Sequence, residues 1–183
     1  MNDLSTATDV ELVEQYHLGN FDAFEVLVER WQTPLLRFAA TLRRSPDLAE
    51  DAVQETFMRF LRAAPKSGSF ESLGPWLFRV CRNHCYDVMK KENRGEAREA
   101  GAVAMPMPPT PDELAEGTEI GAIIGRELDL LPEKEREALR LKIHGGLCYR
   151  EIAEVLGVAQ GTVGWLVHQA MGRLSRRLGA FTA

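Results

Sequence analysis

The chain is 183 residues long, 45% hydrophobic and 27% charged, with a formal net charge of −5, values expected of a globular protein with one ordinary domain or two small ones. No apolar run nears the roughly 20 residues that a spanning helix needs, and the N-terminus lacks a basic segment followed by an apolar core. Three cysteines in no framework spacing fit a reducing compartment, so a cytoplasmic protein is expected. The acidic balance argues against indiscriminate nucleic-acid binding, but the charge is uneven. Residues 9–94 carry 12 basic and 13 acidic side chains, 95–125 carry one and six, and 126–183 carry nine and seven. Both flanks can still meet DNA.

From Asp9 to about Arg94 the pattern is helical nearly throughout. Asp9 is the expected cap of a first helix, with Val10, Leu12 and Val13 apolar and Gly19-Asn20 as its stop. Asp22 begins the next, with Phe24, Leu27, Val28 and Trp31 at helical spacing. Pro34 marks a new turn before Leu35, Leu36, Phe38, Ala39 and Leu42. Ser45-Pro46-Asp47 opens a helix that runs to about Ala63. Along it Asp51, Gln54, Glu55 and Met58 fall at i, i+3, i+4 and i+7 and form one exposed stripe, while Val53, Phe57, Phe60 and Leu61 face the core.

Ala64 to Ser69 reads as a loop. A helix then begins near Gly74-Pro75-Trp76 and continues to Lys91. On it Arg79, Arg82, Asn83, Tyr86 and Lys90 share one stripe, and Leu77, Val80, Cys81 and Val88 pack inward. Cations beside an amide and a phenol suit a separated DNA strand, with charge for phosphates and stacking for bases. Cys81, His84 and Cys85 cluster on one turn but lack a fourth ligand nearby in sequence, so no metal is expected.

Residues 95–125 form an acidic, Pro-rich linker, because Met105-Pro106-Met107-Pro108-Pro109-Thr110-Pro111 cannot be helix. Beyond it, residues 126–180 are again helical. Pro132 is expected at the first helical position, followed by Glu133, Glu135 and Glu137 at the positive end, with Ala138, Leu139, Leu141 and Ile143 as the apolar stripe. Ile152, Ala153 and Leu156 are the buried face of the next helix, and Gly157 supplies a turn. Val163, Val167, Ala170 and Leu174 are the buried face of the last. Two helices meeting at that glycine form a helix-turn-helix, whose second helix docks in DNA. Gln160, Gly161 and Thr162 open it with donors for phosphates or base edges. There is no strand signal: the expected fold is all-α, two small helical domains joined by the linker.

Leu131-Pro132 through Arg136, Tyr149-Arg150-Glu151-Ile152-Ala153 and Gly161-Thr162-Val163 resemble the promoter −35-reading domain of bacterial sigma factors. Ala49 to Phe57 is similar to that family's polymerase-binding helix, and Trp76 to Asn83 with Asp87 to its −10 helix. The resemblance is closest to the two-domain extracytoplasmic-function (ECF) group. It implies a promoter-specificity subunit that binds core RNA polymerase and promoter DNA and answers to an anti-sigma factor, with no cofactor and no catalysis of its own. By the same resemblance, residues 9–94 are region 2 and 126–180 region 4. Asp51, Gln54, Glu55 and Met58 then grip polymerase; Ser69, Phe70, Ser72, Trp76, Arg79, Arg82, Asn83, Tyr86 and Lys90 meet the −10 element. Arg150, Gln160, Gly161, Thr162, Trp165, Leu166, His168, Gln169 and Arg173 meet the −35 element.

One departure stands out. The family often places Lys or Arg at the positions of Gly164, Leu166, Gln169 and Met171, and a small polar residue at Trp165. A bare recognition face weakens DNA affinity and flattens its salt dependence. Three readings follow: Trp165 and Leu166 read thymine methyls and shape, they bind an anti-sigma factor or a second copy, or they pack against the linker or the first domain. DNA reading of modest affinity is the favoured one, with an interaction protein that never reads promoters as the alternative.

Overall fold

In the computed structural model the described residues are 4–43, 45–64, 71–96 and 119–179. They form eight α-helices and one 3-10 turn (Leu4–Thr6), with no strand among them. The chain divides into two compact units, residues 1–106 and 107–183. The predicted linker segment Met105 to Pro111 lies outside the described residues.

The first unit holds α1 (Asp9–His17), α2 (Asp22–Leu42), α3 (Pro46–Ala63) and α4 (Gly74–Glu96). α2 is the central element, packing on α1, α3 and α4. Leu27, Leu35, Phe38, Phe60, Leu77 and Phe78 are buried between the helices, each side chain worth about 1.5–3 kcal/mol when fully buried. Phe78 packs edge-on to Trp31 (6.1 Å between centroids) and Phe38 (5.3 Å), tying α4 to α2.

Two local expectations are corrected here. Thr8, not Asp9, caps α1: the Glu11 amide donates to its hydroxyl at 3.3 Å, and its own amide donates to Glu11 Oε2 at 2.7 Å, a capping box. Asp9 instead accepts from Arg30 Nη1 at 2.7 Å and from Trp31 Nε1 at 3.2 Å, pinning α1 to α2. Nor does Pro34 start a new helix. α2 runs through it, because the apolar faces on both sides continue one buried stripe whose packing outweighs the lost backbone donor.

The second unit holds α5 (Glu119–Asp129), α6 (Glu133–Ile143), α7 (Tyr149–Leu156) and α8 (Gln160–Gly179). α5 begins six residues before the predicted end of the linker. α8 packs on α5, α6 and α7. Pro132 is the cap of α6 rather than its first helical residue. Glu135 and Glu137 are buried, and Arg173 Nε of α8 lies 3.0 Å from Glu135. Ile143, expected inside, is 58% exposed at the end of α6.

Gly157 ends α7 at φ +66°, a left-handed conformation that costs any residue with a Cβ. Gly164 is different: it sits mid-helix, where an added Cβ would meet the Tyr149 ring at an ordinary 3.7 Å. Gly164→Ala is therefore expected to stabilise the second unit by about 0.5–1 kcal/mol, and Gly157→Ala to destabilise it by about 1 kcal/mol. Urea unfolding of the two variants measures both signs.

Candidate functional site

α3 presents its predicted stripe as three exposed side chains and one tethered one. Asp51 and Gln54 are exposed and Met58 is 40% exposed. Glu55 is half-buried, accepting from Arg59 Nε at 2.9 Å with Arg62 at 3.8 Å. That hydrogen bond from Arg59 holds its carboxyl below the usual carboxylate range. Glu55 therefore presents a carboxylate already paired on its own helix.

Beside the stripe lies a groove of about 550 Å³ between α2 and α3. Phe24, Val28 and Leu36 wall it on one side, Val53, Phe57 and Leu61 on the other, with Glu50, Gln54 and Met58 at the lip. Phe57 and Leu61, expected in the core, line this groove instead, and Leu61 is 41% exposed. The α2 wall was not singled out from sequence. Its signal is a second apolar row, Phe24-Val28-Leu36, beside the core row of Leu27, Leu35 and Phe38.

On α4 the arrangement is a mixed cationic and aromatic face. Arg79, Asn83 and Lys90 are exposed, and Arg82 and Tyr86 are half-buried. The Arg82 guanidinium lies 4.8 Å from the centre of the Tyr86 ring. This cation–π contact pre-orients both groups. Trp76, at the start of α4, packs edge-on against Phe60 (6.1 Å), so it is fixed by the core. Ser72 is half-buried; Ser69 and Phe70 lie outside the described residues.

α7 and α8 form the expected helix-turn-helix around Gly157. The Cys148 amide donates to Glu151 Oε2 at 2.8 Å and starts α7 cleanly. Gln160, Gly161 and Thr162 are exposed at the start of α8; further along, Trp165 keeps 57% of its surface and His168 is exposed, while Gln169 is half-buried. Leu166 is corrected. It is 4% exposed and joins Val163, Val167, Ala170 and Leu174 in the core, where it can touch neither DNA nor a second copy. A packed helix buries a broad stripe, and position 166 lies beside 163 on it. The readings that set Leu166 beside Trp165 on one exposed face fall with this; Trp165 is the exposed one of the two. Arg150 and Arg173 are exposed, the latter held by Glu135, and Arg177 lies 3.3 Å from Glu127. Part of the remaining positive charge is thus matched inside the domain.

The family model of Sigma-70 region 2 matches residues 27–95, and that of Sigma-70, region 4 matches residues 122–174. The ECF RNA polymerase sigma-E factor of Escherichia coli (strain K12) is 30% identical over 167 residues, spanning 85% of this chain and 86% of the relative. The chain belongs to the ECF sigma factors. Another of them, the ECF RNA polymerase sigma factor SigE of Mycolicibacterium smegmatis, is 32% identical over 157 residues, 83% of this chain and 60% of that protein. Among solved structures, the sigma factor RpoE in complex with the anti-sigma factor NepR from Bartonella quintana matches with a TM-score of 0.68 and 27% identity, over 85% of this chain and 96% of that one. CnrH in complex with the cytosolic domain of CnrY matches at 0.67 and 25%, over 94% and 97%. As an ECF sigma factor, the protein is a promoter-specificity subunit of RNA polymerase, a transcription initiation factor. No described helix is long and apolar enough to cross a membrane.

Proposed function

We propose that this sigma factor divides its work along the boundaries read from sequence: residues 9–94 bind core polymerase and the −10 element, and 126–180 bind the −35 element. The observation that carries the reading is the pair of faces on the first unit. A carboxylate and amide stripe on α3 borders an apolar groove, and a cation–aromatic face lies on α4. Asp51, Gln54 and Met58 engage polymerase directly, with Glu55 acting through its pairing to Arg59. Arg79, Arg82, Asn83, Tyr86 and Lys90 take the separated −10 strand, with Trp76 and Ser72 positioning the start of α4. Such a subunit works in the cytoplasm, needs no cofactor and catalyses nothing itself. An anti-sigma factor is the natural regulator, since one similar solved structure holds a sigma factor in complex with an anti-sigma factor and another holds CnrH in complex with the cytosolic domain of CnrY.

At the −35 element Gln160, Gly161 and Thr162 supply amide and hydroxyl donors, Arg150 and Arg173 reach the backbone, and His168 and Gln169 flank Trp165. With no Lys or Arg from residue 160 to 172, Trp165 contributes apolar contact such as a thymine methyl offers. Run-off transcription with core polymerase is expected to give initiation at a defined promoter; no specific initiation at any promoter sinks the reading. Trp165→Ala is expected to relax −35 preference by about 1–3 kcal/mol at one position while leaving the salt slope unchanged. The competing reading, a docking face for a second copy, predicts that Trp165→Ala changes only the sedimentation profile.

A further inference from the structure

Cys81 and Cys85 stand one turn apart on α4, both without exposed surface. The two sulfurs interact directly. The neighbouring Cys81 thiol, with the Arg43 cation nearby, pulls the Cys85 thiol below its ordinary range, against the opposing effect of burial. The Cys85 sulfur and burial push Cys81 well up. Cys85 also borders a cavity of about 70 Å³ shared with Arg43, Leu48, Asp51, Ala52, His84 and Val88. This is space for about two waters at roughly 30 Å³ each, enough for one hydrogen peroxide molecule. Arg43 is itself buried and held at 2.7 Å by Glu92, so its guanidinium is fixed beside the cavity. A metal has less support: His84 Nδ1 is taken up 3.4 Å from Arg59 Nη2, and among the described residues no three His, Cys, Asp or Glu side chains are grouped to hold one.

We propose that Cys85 and Cys81 form a peroxide-oxidation site, with Cys85 the attacking sulfur and Cys81 the resolving one. The Cys85 thiolate attacks hydrogen peroxide, forming an S–O bond as the O–O bond breaks; hydroxide leaves and is protonated to water. Cys81 then loses its proton and displaces the hydroxyl from Cys85, giving a disulfide and a second water. Two thiols give up two electrons and the peroxide gains them. A disulfide needs its Cβ atoms about 3.5–4.5 Å apart, whereas residues at i and i+4 on a helix hold them about 5–6 Å apart. Closing the bond distorts α4. Arg82 and Asn83 lie inside the bridged turn and Tyr86 just beyond it, so the promoter-facing stripe loses its register. This consequence rests on the proposed −10 role of α4; the oxidation chemistry does not.

The test uses the full chain carrying Cys148→Ser, which removes the exposed thiol. After hydrogen peroxide treatment, removal of the peroxide and alkylation, trypsin is expected to yield peptides Val80–Arg82 and Asn83–Lys90 joined by a disulfide. Run-off transcription with untreated core polymerase is expected to fall about tenfold, the weight of one displaced base contact, and to recover with dithiothreitol. Adding Cys85→Ala is expected to make transcription peroxide-resistant. Adding Cys81→Ala is expected to leave Cys85 with one added oxygen, about 16 Da. Both cysteines recovered reduced after peroxide, or a Cys85→Ala protein as sensitive as its parent, overturns the proposal. A disulfide that forms without changing transcription keeps the oxidation site and removes α4 from promoter reading.

Discussion

Asp51→Arg is expected to weaken association with core polymerase about 30-fold or more, the scale of setting like charge against a complementary interface. Asp51 is exposed on α3, on the stripe it shares with Gln54 and Met58, and borders the small cavity beside Arg43 rather than the apolar groove; among the described residues its carboxylate takes part in no ion pair that holds the fold. The neighbouring cations are already paired: Arg43 with Glu92, and Arg59 and Arg62 with Glu55. The fold therefore tolerates the change, and helical circular dichroism and the melting midpoint are expected to stay near the parent's. Asp51→Asn, which removes charge without reversing it, is expected to fall between. Fluorescence anisotropy of labelled protein titrated with core polymerase measures the series. Parent-like affinity for Asp51→Arg would take α3 out of the polymerase interface. Glu55→Gln is expected to have the smaller effect, because its carboxylate is already matched by Arg59.

Phe78→Ala is expected to cost the first unit about 3–5 kcal/mol and to lower its melting midpoint by roughly 12 °C or more. Phe78 is fully buried, and its ring is packed edge-on by Trp31 and Phe38. Truncation removes the ring's transfer energy and two aromatic contacts, and it leaves a void that α2 and α4 cannot close, since Asp9 pins Trp31 from the other side. A domain of ordinary stability, about 5–15 kcal/mol, survives this at room temperature with little reserve. Promoter and polymerase binding are expected to fall together on warming, unlike the selective loss in Asp51→Arg. A thermal melt within about 4 °C of the parent's would show that Phe78 does not hold α4 to α2.

The helix-turn-helix was legible because its signals are local: apolar spacing on each side of a glycine that takes up φ +66°. The two stripes on α3 and α4 were legible for the same reason, since helical periodicity alone puts Asp51, Gln54 and Met58 together, and Arg79, Asn83 and Lys90 together. Local signals also misled. Asp9 resembles a cap but is drawn away by Arg30, 21 residues on, leaving Thr8 to cap. Pro34 resembles a start but lies inside a helix that tertiary packing holds together.

By itself, the sequence determined the helices, the order of the two units, the glycine turn and the chemical character of each exposed stripe. These depend on spacing along one chain, which every residue carries with it. Only the tertiary structure decided how wide each buried face is. That width placed Leu166 inside and left Trp165 alone outside, put Ile143 in solvent, and opened the groove that Phe57 and Leu61 share with Phe24 and Val28. It also decided which charges are already matched within the fold, as Glu55, Arg43 and Arg173 are. Burial and pairing belong to the neighbouring helices, and a single helix's periodicity does not specify how closely its neighbours approach.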